Sequence, residues 1–119
     1  MKMRIQGNAI RFRLNRTEVG EFETVGTVVA SIGFPGGRKL TYSLEKGGEA
    51  MGAAFDGDTI RVRVPEALAR EWTGTDRVGI HEQAQGLEVI IEKDFQCLHK
   101  GEEGKDPNAY PNPMAMQGA

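Results

Sequence analysis

Apolar and basic residues alternate in two segments of the chain that lie fifty positions apart. The first segment is Gly7-Asn8-Ala9-Ile10-Arg11-Phe12-Arg13-Leu14, and the second is Gly57-Asp58-Thr59-Ile60-Arg61-Val62-Arg63-Val64. A two-residue period is typical of a strand that has one face against a core and the other toward solvent. The arginines should therefore face away from the core, and the inward residues should be Ile10, Phe12, Leu14, Ile60, Val62 and Val64.

A short helix is predicted after each alternating segment. Asn15 is a suitable N-cap, and Glu18 three residues later completes a capping box. In the second copy Pro65 suits the first helical position. Trp72 falls where Phe22 falls, so we expect the two helices to correspond.

A second hairpin follows each predicted helix. In the first copy the strand from Thr27 to Ile32 is followed by the breaker Phe34-Pro35-Gly36-Gly37. Val78 then matches Val28 at an offset of fifty, whereas residues 87–93 match residues 40–46 at an offset of forty-seven. This alignment implies one length change, a hairpin loop three residues shorter in the second copy. The repeated order of elements indicates an internal duplication.

One such repeat is too small to enclose a core, so two repeats must share one. We predict a mainly β (α+β) fold, a single closed or partly open β-barrel of two tandem strand-strand-helix-strand-strand repeats. The repeats are related by a pseudo-twofold axis, and two short helices accompany the barrel. The barrel domain covers residues 1–98, with repeats at about 1–46 and 51–93, and a flexible acidic tail containing prolines covers 99–119. A fused pseudo-dimer of this kind should be a monomer or a weak dimer.

The first alternating segment, running into a helix, resembles the corresponding segment of the AbrB and MazE family of transcription factors and antitoxins. In that family a Gly-Asn-Ser-hydrophobic-Arg-hydrophobic segment precedes a Pro-Lys helix, and two chains each contribute one unit to a swapped-hairpin barrel. The resemblance implies DNA binding, with one chain supplying both units here. The sequence departs from the pattern, since Asn15-Arg16 replaces Pro-Lys and Pro65 is followed by Glu66.

The whole chain also resembles a family of small uncharacterised bacterial proteins. The shared features are the opening Met-Lys-x-Arg-Ile-x-Gly-Asn run, the segment Glu92-Lys93-Asp94-Phe95-Gln96-Cys97-Leu98, and a Tyr-Pro-Asn-Pro sequence at residues 110–113. This resemblance implies a bacterial origin and no particular activity.

Charge is balanced over the whole chain but not along it. Lys and Arg number 15 and Asp and Glu 17, so the chain is not a polycation. The first sixteen residues nevertheless carry five basic residues and no acid, which makes the first hairpin the basic end. A single cysteine and the lack of an apolar run of about 18 residues favour a cytoplasmic protein without membrane contact.

The basic end is the candidate binding site. Guanidinium groups of Arg4, Arg11 and Arg13 on one strand face can grip phosphate oxygens, and Arg61 and Arg63 repeat the pattern. We therefore predict a non-enzymatic module that binds DNA or an acidic protein. Alternatively, the arginines only form ion-pair ladders across neighbouring strands. The carboxylates available for such ladders are Glu45, Glu82, Glu88 and Glu92.

Two other functions stay open. If the arginines pointed inward, a wide barrel could bind a small anion or polyphosphate. If the tail carried the function, through Tyr110 and its prolines, the chain would be a structural protein-interaction domain.

Catalytic and metal-binding patterns are weak. Cys97 and His99 form an irregular zinc set even with Asp94 and His81, and we interpret them as a free thiol and an exposed imidazole. Gly36-Gly37-Arg38-Lys39 is followed by no helix start, so a hairpin turn is favoured over a phosphate loop. No catalytic residue, metal site or cofactor is predicted.

Overall fold

The computed structural model describes residues 1–95 and contains eight strands and two helices in this part of the chain. The tail, including Cys97, His99 and Tyr110, lies outside the described residues. The prediction of a mainly β fold with two short helices is confirmed. The elements are β1 (Lys2–Gln6), β2 (Ala9–Leu14), α1 (Arg16–Thr24), β3 (Thr27–Gly33), β4 (Lys39–Lys46), β5 (Gly52–Asp56), β6 (Thr59–Val64), α2 (Glu66–Gly74), β7 (Gly79–Ala84) and β8 (Leu87–Lys93).

The strands form two sheets, and each sheet takes one hairpin from each repeat. One sheet has the order β1-β2-β8-β7 and the other β3-β4-β6-β5. Hairpin partners pair antiparallel, whereas the central pairs β2/β8 and β4/β6 are parallel. The two strands of each central pair come from different repeats, so the repeats exchange hairpins. Each helix carries the chain from one sheet to the other.

The prediction of a single barrel is not supported. Closure would require β1 or β7 to hydrogen-bond with β3 or β5, and no such pairing occurs among the described residues. The physical reason is the position of the apolar side chains, which cover one face of each sheet and meet in a shared core. Two sheets facing each other bury this surface without joining their edges.

The core is apolar and includes side chains from both helices. The predicted inward residues of β2 and β6 are buried, except Ile60, which is half-buried. Phe22 of α1 and Trp72 of α2 are both fully buried, and their rings meet edge to face with centroids 6.0 Å apart. The two predicted counterparts therefore contact each other directly. This packed interior does not support the polyphosphate barrel, because the arginines of β2 and β6 lie on the outer faces.

Strand register corrects the alignment of the second hairpins. Val28 pairs with Leu44, and Ile80 pairs with Ile91, so the counterpart of Val28 is Ile80 rather than Val78. The connection from α2 to β7 is two residues longer than that from α1 to β3. The β7–β8 loop is three residues shorter than the β3–β4 loop, as predicted, and the β7–β8 hairpin also lacks an equivalent of the terminal Gly33–Lys39 pair. Between equivalent pairs the hairpin is thus five residues shorter, and the longer connection before β7 offsets two of these.

Candidate functional site

Four cations lie together on the outer face of the first sheet. Lys2 is directly opposite Arg13, and Arg4 is directly opposite Arg11, across the β1/β2 pair. Neighbouring strands are roughly 5 Å apart, and residues two apart on a strand are roughly 7 Å apart. The Cα atoms of these four residues therefore lie at the corners of a rectangle of roughly 5 by 7 Å. We call the outer surface of β1-β2-β8-β7 around these residues the basic face.

Carboxylates at one end of the basic face offset part of its charge. Glu92 lies in register with Arg13, and its Oε1 is 3.4 Å from the Nε of Arg13 and 3.5 Å from the Nε of Arg11. The Nζ of Lys2 is 2.9 Å from an oxygen of Asp94. These side chains are partly exposed, so each pair contributes little to stability. The predicted ladder is thus confirmed for Glu92, whereas Glu88 pairs with His81.

The other end of the basic face is less neutralised. Arg4 makes no ion pair with any described residue, and beside it lies a shallow cleft of about 240 Å³. The Nε of Arg11 is buried and has no hydrogen-bond partner within residues 1–95, since Glu92 is too distant for a good bond. The cleft brings two arginines and one carboxylate, that of Glu88, to the same opening. Its lining residues are Arg4, Gln6, Ala9, Arg11, Glu88 and Ile90.

The second pair of predicted arginines does not join this site. Arg61 and Arg63 of β6 lie on the outer face of the other sheet, at positions equivalent to Arg11 and Arg13. The positions equivalent to Arg4 and Lys2 hold Ala54 and Gly52. Arg61 Nε lies 3.9 Å from Glu45, as the ladder interpretation predicted. Of the five candidate arginines, the structure therefore brings together Arg4, Arg11 and Arg13.

Lys2 was not among the candidate site residues, although it belongs to the basic face. It is one of the five basic residues among the first sixteen. The signal that could have identified it is alternation, because Lys2 and Arg4 are two apart on β1 and share its outer side.

No Phe, Tyr or Trp lies on the described basic face. The strand positions that point outward there are Lys2, Arg4, Gln6, Ala9, Arg11, Arg13, Gly79, His81, Gln83, Glu88, Ile90 and Glu92. Proteins that bind single-stranded nucleic acids usually stack bases on such aromatic rings. The described face therefore offers charged and polar groups rather than aromatic surface.

The β3–β4 turn does not form a phosphate loop. Gly36 and Gly37 have φ of +92° and +91°, which glycine adopts readily, and the chain continues into a strand. Arg38 in this turn pairs with Asp58 through an Nη2–Oδ1 contact of 2.5 Å. The prediction of a hairpin turn is therefore confirmed.

The described part of the chain has neither a cluster of metal ligands nor a helix that could span a membrane. Within residues 1–95, no three His, Cys, Asp or Glu side chains are placed to share a metal ion. No helix there has the length and apolar character needed to cross a membrane.

The chain belongs to a family of unknown function, DUF7009, whose model matches residues 1–114. This match confirms the resemblance of the whole chain to an uncharacterised family. No curated protein and no solved structure matched the chain. The bacterial origin and the AbrB-like character stay predictions.

Proposed function

We propose that this chain is a non-enzymatic binding module whose basic face contacts the phosphate backbone of double-stranded DNA. The observation that carries the proposal is the cluster of four cations on the β1–β2 hairpin, which the equivalent β5–β6 hairpin lacks. Both faces keep the paired arginines of the repeat, and only the first adds Lys2 and Arg4.

The spacing of the cations argues against a purely structural role for the basic face. The second face also carries three cations, but Lys39 lies on β4, away from the pair Arg61 and Arg63 on β6. On the first face all four cations occupy neighbouring positions of one hairpin, with carboxylates at Glu88, Glu92 and Asp94. An ion-pair ladder does not require cations to be clustered in this way, whereas a phosphate-binding surface does.

Duplex DNA suits this face better than a single strand. Without Phe, Tyr or Trp, the face offers no platform on which an unpaired base would stack. Arginine and lysine on a strand face can contact backbone phosphates, and such contacts position a protein without reading base sequence. We therefore expect binding that is strongly dependent on salt and weakly dependent on sequence.

The exchange of hairpins also supports DNA as the ligand. In the AbrB and MazE family two chains each supply one unit, and here two repeats of one chain exchange their hairpins. On this proposal a single domain, residues 1–98, acts as a fused pair of such units. Only the first unit adds Lys2 and Arg4 to the arginine pair of its hairpin.

The test is a salt titration of the full chain against a mixed-sequence DNA duplex. If Arg4, Arg11 and Arg13 each displace one counterion, affinity should fall about 40-fold between 50 and 200 mM salt. An Arg11→Ala/Arg13→Ala variant should bind more weakly and lose only about 3- to 4-fold over the same range. The matched control is Arg61→Ala/Arg63→Ala, which removes the same charge from the other face and should bind like wild type.

Equal losses in both double variants would overturn the proposal, as would no binding to duplex at 50 mM salt. If the chain instead bound a polyglutamate peptide with the same dependence on Arg11 and Arg13, the partner would be an acidic protein.

A further inference from the structure

We propose that the free edge of β3 pairs antiparallel with β3 of a second copy, forming a twofold dimer. An edge strand has unpaired backbone N–H and C=O groups, which another strand can bind unless the edge is protected. The inference rests on how differently the four edge strands of this chain are protected.

Three of the four edge strands in the described residues carry charged side chains. β1 contains Lys2 and Arg4, β7 contains Glu82, and β5 ends at Asp56. β3 has the sequence Thr-Val-Val-Ala-Ser-Ile-Gly, which has no charged residue and no proline. Charges and prolines are the usual means of preventing association at a sheet edge, and β3 lacks both.

β3 also exposes apolar side chains on both of its faces. Val29 on the outer face is 58% exposed, and Ile32 on the inner face is 52% exposed. The equivalent positions of β7 hold the polar His81 and the buried Ala84. The apolar edge is therefore a feature of β3 itself and not of the repeat from which both strands derive.

A second copy of this chain is the occupant that fits this edge. An uncharged strand can meet its own copy without the repulsion that two copies of β1 would face. Pairing centred on Ser31 places Ser31 opposite Ser31 of the second copy and Ile32 opposite its Ala30. The contact uses the same surface on both molecules, as a twofold dimer requires.

This geometry has a consequence for the proposed DNA-binding face. The twofold axis of an antiparallel edge pair is perpendicular to the sheet. The outer faces of the two β3-containing sheets therefore point in the same direction in both copies. The two basic faces would then point to the same side of the dimer. Only this consequence rests on the proposed function, since the dimer itself follows from β3.

The test is sedimentation of the full chain over a concentration series. Edge pairing of one strand is smaller than a standard interface, so we expect a Kd on the order of 10 μM. Ser31→Lys places two like charges opposite each other and should raise this Kd at least about tenfold. The matched control is Gln83→Lys on β7, the exposed position equivalent to Ser31, which should leave the Kd unchanged.

A cross-linking experiment provides a second readout that does not depend on weakening the dimer. In a Cys97→Ser background, Ser31→Cys places two thiols across the axis at a separation that a disulfide can bridge. Mild oxidation should give a covalent dimer with Ser31→Cys and not with Gln83→Cys.

Three results would overturn the dimer: a monomer at all concentrations up to about 1 mM, equal weakening by both lysine variants, or equal cross-linking at both positions. Its failure is distinguishable from failure of the DNA proposal, because Arg11→Ala/Arg13→Ala should weaken DNA binding and leave the Kd of the dimer unchanged.

Discussion

Replacing Glu92 by glutamine should strengthen binding of the chain to duplex DNA. Glu92 is the one described carboxylate that lies against both Arg11 and Arg13, at 3.5 and 3.4 Å. A phosphate seated between Arg4 and Arg11 would lie one row of residues away, at roughly 7 Å from Glu92. At that distance in water the repulsion between the two anions is roughly 0.6 kcal/mol before screening.

The arginines must also give up their pairing with Glu92 in order to contact phosphate, and an exposed pair is worth roughly 0.2–1 kcal/mol. Together these effects amount to about 1 kcal/mol, which corresponds to about fivefold tighter binding. The assay is fluorescence anisotropy of a labelled duplex at 100 mM salt. Glu45→Gln, beside Arg61 on the other face, is the matched control and should change affinity little. Weaker or unchanged binding by Glu92→Gln, or an equal gain with Glu45→Gln, would refute the reasoning.

Three further predictions concern stability, measured by urea unfolding monitored with circular dichroism. Trp72→Phe should cost about 1–3 kcal/mol, because it removes the 3.0 Å bond to the Val78 carbonyl and leaves space in the core, and a smaller cost would count against that packing. Asn15→Ala should cost about 1 kcal/mol by removing the α1 cap, whereas an unchanged midpoint would show that the cap is unimportant. Burial raises the pKa of Glu18, but bonds from the N-terminal ammonium and the Asn15 backbone outweigh this and hold it below its ordinary 4.5. The resulting stabilisation is present at neutral pH and is lost as pH falls below 4.5, so Glu18→Gln should be destabilised at pH 7 and approach wild type near pH 3; an equal deficit at both pH values would contradict this.

Local sequence patterns predicted the strands and helices, because each of these elements is determined mainly by residues that are close together in the chain. Alternation identified β2 and β6, and the capping box before α1 is present, with Asn15 accepting from the Glu18 backbone. The equivalence of Phe22 and Trp72 followed from the repeat, and both are core residues. Alternation and the capping box depend on residues within a few positions of one another, and the equivalence of Phe22 and Trp72 depends on the match between the repeats.

The arrangement of the sheets could not be predicted in the same way. A barrel and a pair of open sheets use the same alternating strands, and they differ only in whether the edge strands pair. The two opposing length changes were hidden for a related reason. Val78 and Val28 are both valine and therefore align in the sequence. Only the pairing of Ile80 with Ile91 shows that Ile80 is the counterpart of Val28.

The candidate site was partly visible in the sequence. Alternation placed Arg4, Arg11 and Arg13 on outer surfaces, and the register of β1 against β2 brings them together. The same alternation applied to Arg61 and Arg63, and the sequence could not show that they lie on a different sheet. Their separation from Arg4, Arg11 and Arg13 thus depends on the exchange of hairpins, which is a tertiary feature.

The most direct test of the DNA-binding proposal is to map the contact surface by NMR. Amide resonances of the full chain would be followed during titration with a mixed-sequence duplex at low salt. The proposal predicts shifts concentrated in β1, β2 and β8 around Arg4 and Arg11, with β4 and β6 nearly unchanged. Shifts centred on Arg61 and Arg63, or spread evenly over both sheets, would contradict it.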